Sequence, residues 1–153
     1  MIETSQIPAC GVYLIKEFEG CHLNSYPDPL TGGLPITIGW GSTKDFDGTP
    51  FKLGRTITQK YADTLLDFDL KNRFLPKLFK IPYWREMNEN QQGAILSADF
   101  YGSPDFNTIT RVLKNKEWSK VPEALKLYRN PGTNVEKGLL RRRTAEIALW
   151  SSK

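Results

Sequence analysis

Residues 27–41 read PDPLTGGLPITIGWG, and no other stretch limits the fold as much. Pro27, Pro29 and Pro35 lack the N–H a helix interior needs, and Gly32, Gly33, Gly39 and Gly41 add breakers, so no helix can cross this segment. Within it, ITIGW alternates with period two, the pattern of a short strand, and Gly32–Gly33 supplies a turn. A small β region is expected here. It follows a helical pattern, because Ile7, Gly11, Leu14, Ile15 and Phe18 recur at helical spacing. Pro8 is tolerable in a first turn and Gly20 suits the position that ends a helix, which predicts a helix over about 8–19.

Downstream the chain turns helical. Tyr61, Leu65, Phe68 and Leu75 trace a long amphipathic helix from Thr58, with Pro76 expected to limit it. Further helices are predicted near 89–100, 108–115, 119–128 and 136–150, and no repeat, low-complexity tract or linker intervenes. The expected fold class is α+β and mostly helical: one domain over 1–153, a small antiparallel β lobe (about 21–56) inserted after the first helix, and a helical lobe (about 75–153 plus the N-terminal helix). A chain of 153 residues is large enough for a core and a cleft.

The excess of 21 Lys and Arg over 17 Asp and Glu, net +4, favours a polyanionic partner: nucleic acid, anionic lipid or an acidic cell wall. No window approaches the roughly 20 apolar residues of a membrane span, and the N-terminus lacks the features of a signal peptide, so a cytoplasmic chain is expected. The first helix joins Cys10 and Cys21, which places them roughly 16 Å apart at ~1.5 Å per residue, beyond bridging distance. Both are expected to be free thiols.

The chemistry narrows by elimination. With a single histidine, His22, next to Cys21, the chain has no spacing for a zinc site or a Cys–His dyad, and no phosphate-binding glycine loop is present. Paired carboxylates need none of these. Glu19 closes the first helix, where the dipole and the neighbouring apolar stripe both favour its protonated form, as an acid donating to a glycosidic oxygen requires. Asp28 lies in the polar YPDP turn, where it stays ionised. Strand alternation places Thr37, Gly39 and Gly41 on one face, open to a sugar ring and able to hold a water, with Ile36, Ile38 and Trp40 directed to the core. Taken singly, the same residues also read as a strand threonine with turn glycines.

These residues in this order resemble the phage-type lysozymes, or endolysins, of glycoside hydrolase family 24. The likeness falls on Glu19, Gly20, Tyr26, Asp28, Gly32, Gly33, Thr37, Ile38, Gly39 and Gly41, and continues more loosely through ITQKYADTLLDFDL, NENQQGAILSADFYG and GLLRRRTAEIALW. It implies a lysozyme-like fold with a cleft between lobes and a catalytic triad of Glu19, Asp28 and Thr37. It implies contacts to substrate from Tyr26, Gly39, Gly41 and Phe100. An arginine of residues 141–143 would reach Glu19 or the cleft, and helical spacing with Leu140, Ile147 and Trp150 favours Arg143 over Arg142. An ion pair there would oppose the dipole and burial effects on Glu19, and the sequence leaves that balance open.

No metal or cofactor is implied, and the partner is bacterial peptidoglycan rather than nucleic acid or a membrane interior. A monomer held in the host cytoplasm until release is expected. Two departures stand out: Ser42 replaces the His of many relatives, and Phe100, Tyr101 and Gly102 stand where many have Asn and Gly after the Phe. The rival readings are a lytic transglycosylase on the same bond and a non-catalytic basic protein binding wall or membrane.

Overall fold

A computed structural model describes residues 7–100 and 107–152. Tyr101 and Gly102, with the departure noted there, lie outside the described residues. The first helix, α1 (Ala9–Glu19), follows Pro8 and ends where Gly20 adopts φ 68°, its N–H returning to the Lys16 carbonyl. Gly11 on its buried face touches Gly93 of α4 (Glu89–Phe100); a methyl on Gly11 would lie 2.7 Å from the Gly93 carbonyl oxygen. The two helices cross at backbone distance. That crossing fixes the axis that carries Glu19 at its C-terminal end.

Strands β1 (His22–Tyr26) and β2 (Thr37–Gly39) pair antiparallel, His22 opposite Gly39 and Tyr26 opposite Thr37. Their connection is closed by Asp28 N–H donating to the Gly33 carbonyl and Gly32 N–H to the Asp28 carbonyl, with Gly32 at φ 72°. The strand alternation stops at Ile38. Ile38 and Ser42 exchange both backbone hydrogen bonds, and between them Gly39 (φ 66°) and Gly41 (φ 98°) turn the chain back. Only glycine occupies such angles without strain, so ITIGW is half strand and half turn.

A small core of Ile36, Ile38, Phe51, Ile57, Ala62 and Leu65 supports this lobe. Ile36 and Ile38 are buried as expected, whereas Trp40 is half-buried and its indole N–H donates to Asp63.

Helix α2 (Gln59–Asp69) starts at Thr58, whose hydroxyl accepts the Tyr61 N–H. It runs on through a π-helical segment, Leu70–Phe74, into α3 (Leu75–Leu78). The helical path therefore does not stop at Pro76. The wider π turn lets Leu75 N–H reach the Leu70 carbonyl and leaves Pro76 in the first turn of α3, where a missing N–H costs least.

α5 (Asn107–Lys114), α6 (Val121–Lys126) and α7 (Glu136–Trp150) complete the helical lobe around α4, whose residues Gly93–Ala98 are buried on all sides. On α7 the buried stripe is Leu139, Arg142, Arg143, Glu146 and Trp150, while Leu140 is 41% exposed. The expected stripe through Leu140 is thus displaced, because two arginines face inward against Glu146. Cys10 and Cys21 are both free thiols.

Candidate active site

Glu19 lies where α1 ends, and its side chain is only 8% exposed. Arg142 of α7 holds it: Arg142 Nη1 donates to Glu19 Oε2 at 2.5 Å, and Nη2 donates to the Ser97 carbonyl on α4 at 3.0 Å. Burial pushes the Glu19 carboxyl above its ordinary range. The charge and hydrogen bond of Arg142, then the charges of Arg143 and His22, pull it back only in part. The balance the sequence left open falls to burial.

Gly41 is the floor beneath that carboxyl. A methyl on Gly41 would lie 2.7 Å from Glu19 Oε1, 3.0 Å from Cδ and 3.1 Å from Phe100 Cε1. Phe100 in turn packs on Phe74 with ring centroids 4.7 Å apart, so an aromatic wall excludes water from one side of the acid.

Gly39 does not share that position. A methyl there would meet Ala62 Cβ at 3.3 Å and Ile57 Cδ1 at 3.6 Å, the core of the small lobe rather than a cleft. Any contact of Gly39 with substrate, as the resemblance implies, would come from its backbone, since the side-chain direction at this positive φ faces the small core. Arg143, also expected at the cleft, is fully buried and pairs with Glu146, its Nε 2.7 Å from Oε1. Arg142 makes the contact that was assigned to Arg143.

The two glycines give a paired prediction, since both sit at positive φ and only Gly41 abuts the acid. Gly39→Ala should cost about 1–2 kcal/mol, roughly 2–8 °C in melting temperature, with activity per folded molecule intact. Gly41→Ala carries a similar backbone strain but should also cut activity per folded molecule roughly tenfold, because Glu19, gripped by Arg142, must move. Melting curves and specific activity on the same samples check both. Equal specific activities would remove Gly41 from the site.

Asp28 stands two residues beyond β1, half-buried, with Oδ1 accepting the Leu30 N–H at 3.2 Å. Its neighbour Pro29 is tied to the helical lobe, for Asn134, ahead of α7, donates from Nδ2 to the Pro29 carbonyl at 2.8 Å. Thr37 is 9% exposed and its hydroxyl donates to the Pro35 carbonyl at 3.2 Å. Tyr26 lies opposite it across the sheet, its ring 4.6 Å from that of His22. Ser42 is buried and donates to Asp69, which pairs with Arg73 of the π segment.

The structure thus brings Glu19, Gly41, Phe100 and Arg142 into contact, and sets Tyr26 beside Thr37. Sequence reasoning missed Ser97 and Glu146. Arg142 and Glu146 are four apart on one helix, a spacing that could have flagged them as a pair. Among the described residues no group of His, Cys, Asp and Glu could hold a metal ion.

A two-stranded lobe, a connecting helix and a helical lobe around a buried glutamate make up a lysozyme-type architecture. The endolysin of Escherichia coli O157:H7 phage FAHEc1 shares the fold at TM-score 0.75 and 24% identity, covering 99% of this chain and 97% of that one. A P22 lysozyme mutant matches at TM-score 0.67 and 30% identity over 99% of both chains. The muramidase domain of SpmX from Asticaccaulis excentricus matches at TM-score 0.72 and 28% identity, covering 97% of this chain and 99% of that one.

In sequence, residues 16–146 match the phage lysozyme family, and the chain belongs to that family. The endolysin of Lactococcus phage c2 is 33% identical over an alignment of 146 residues that covers 92% of this chain. The chain spans 58% of that relative's length.

Proposed function

We propose that this chain is a muramidase that hydrolyses the β-1,4 bond between N-acetylmuramic acid and N-acetylglucosamine in bacterial peptidoglycan. Glu19 is the general acid, protonating the glycosidic oxygen as the bond breaks. Asp28 acts on the attacking water or on the charge developing near it, and Thr37 helps hold that water. Gly41 and Phe100 shape the site around Glu19, and Tyr26 borders it. The protein works as a monomer, is held in the host cytoplasm until released, and its net +4 charge assists encounter with an anionic wall. No helix among the described residues is long and apolar enough to cross a membrane.

The observation that carries this reading is the burial of Glu19 at the end of α1, on Arg142, in a chain of the phage lysozyme family; that burial raises its proton affinity. A carboxyl at the surface would have surrendered its proton near pH 4.5. Buried behind Phe100 and Gly41, Glu19 keeps it to higher pH.

Activity should therefore persist below the raised value and fall as pH climbs through it, since the acid must enter each turnover protonated. The stability term has the same sign: a folded value above the unfolded one stabilises the fold fully below about pH 4.5, and that gain is lost as pH rises through the folded value. Reducing-sugar release from purified peptidoglycan, followed across pH, tests the reading. A rate that rose steadily with pH through the neutral range would exclude Glu19 as the acid.

A further inference from the structure

Behind Glu19 lies a second carboxylate that catalysis at the glycosidic bond does not use. Glu146 on α7 is fully buried. Two hydrogen bonds reach its Oε2, from the Ser97 hydroxyl at 2.6 Å and from Arg143 Nη2 at 3.3 Å, and two more nitrogens lie at ion-pair distance, Arg143 Nε 2.7 Å from Oε1 and Arg142 Nε 3.4 Å from Oε2. Burial pulls Glu146 toward its protonated form, and the charges of Arg143 and Arg142 with the Ser97 hydrogen bond oppose that pull and favour the carboxylate.

Arg142 is the shared member. Its side chain is 3% exposed, and the three arms of its guanidinium go to three anchors: Nη1 to Glu19, Nη2 to the Ser97 carbonyl and Nε to Glu146. A planar fork hydrogen-bonded at Glu19 and Ser97 and ion-paired with Glu146 has little freedom to swing. Ser97 therefore clamps both ends of the relay, its carbonyl on Arg142 and its hydroxyl on Glu146.

We propose that Glu146 is a positioning residue for the general acid: by taking up part of the charge of Arg142, it fixes how Arg142 grips Glu19 and sets the pH at which Glu19 loses its proton. The inference rests on the reading of Glu19 as the acid. The charged and titratable groups that bear on Glu19 are Arg142 and Arg143 from α7 and His22 from β1, whereas α4 presents Phe100. Those that face Glu146 are Arg142 and Arg143, with the Ser97 hydroxyl from α4.

The relay gives opposite signs for two substitutions. Glu146→Gln keeps the shape and removes the negative charge, so Arg142 and Arg143 act on Glu19 without their counter-ion, and its titration should move down by about one pH unit. Arg143→Met removes one cation and leaves Glu146 to Arg142 alone, so the titration of Glu19 should move up. The alkaline limb of activity should follow in each case. A merely structural role for Glu146 would lower the melting temperature and move neither.

The test is a ¹³C-carboxyl NMR titration of Glu19 beside the pH–activity profile, in the unsubstituted protein, Glu146→Gln and Arg143→Met, repeated with His22→Gln to remove the imidazole. Opposite shifts are expected; an unchanged Glu19 midpoint in a folded variant overturns the inference. Should neither variant fold, the unsubstituted protein still decides: Glu146 must stay ionised across the range where Glu19 titrates, and a protonated Glu146 there overturns it.

Glu19→Gln separates the two readings. If it still cleaves peptidoglycan, the acid assignment falls, whatever the midpoints do. If it is inactive while the midpoints stay fixed, the muramidase reading stands and the role of Glu146 falls.

Discussion

Glu19→Gln is expected to fold, to bind peptidoglycan, and to release reducing sugar at no more than about a hundredth of the unsubstituted rate, since general acid catalysis contributes 10²–10⁴-fold. The amide keeps an oxygen for Arg142, whose other arms remain on Ser97 and Glu146, so the buried cation is not left without acceptors. It has no proton to give to a leaving oxygen. Glu19→Asp is a useful companion, for it keeps the proton and withdraws the carboxyl by one methylene; an intermediate loss is expected. Clearing of permeabilised cells by Glu19→Gln at more than about a tenth of the normal rate would move the acid elsewhere in the molecule.

The second large effect is expected at Asp28. Asp28→Asn can still accept the Leu30 N–H through its amide oxygen, so the turn closed by Gly32 and Gly33 persists. On the proposed mechanism the change removes the negative charge that acts on water or on the developing charge, a loss of about 10²-fold or more. Thr37→Val should cost roughly tenfold or less, because it removes one hydrogen-bonding group and keeps the side-chain shape opposite Tyr26 in the sheet. Rates of both variants under one set of conditions, with circular dichroism to confirm folding, check the order. Small and equal losses would mean that neither residue handles water, as in transglycosylase chemistry.

Legibility in the sequence followed the range of the interaction that decides each feature. The end of α1 was readable because Gly20 stops a helix by its own backbone preference, and so was the turn at Gly32, for the same local reason. Thr58 capped α2 where expected. The direction of Gly39 was not readable: alternation assumes extended backbone, and the positive φ at Gly39 and Gly41 arises from a turn that period-two reading cannot register.

The continuation through Pro76 depends on a π segment, which leaves no mark in apolar spacing. The inward face of α7 was misread by about one position for a different reason. Arginine counts as a surface residue until its partners are known, and those partners, Ser97 and Glu19, come from α4 and α1. Charge neutralisation across three helices is a tertiary fact. The placement of Glu19 at the end of α1, with a turn-rich segment after it, was therefore legible, while the network that holds Glu19 in place was not.

The most direct test of a hydrolytic muramidase is mass spectrometry of the fragments released from purified peptidoglycan. Each cut should add the elements of water and leave a reducing N-acetylmuramic acid end, and digestion in ¹⁸O-water should place the label at that new end. The same fragments should be absent from digests with Glu19→Gln. Anhydro-muramic ends carrying no label would contradict the account, because they would show the bond closing on the sugar itself with no water for Asp28 and Thr37 to handle.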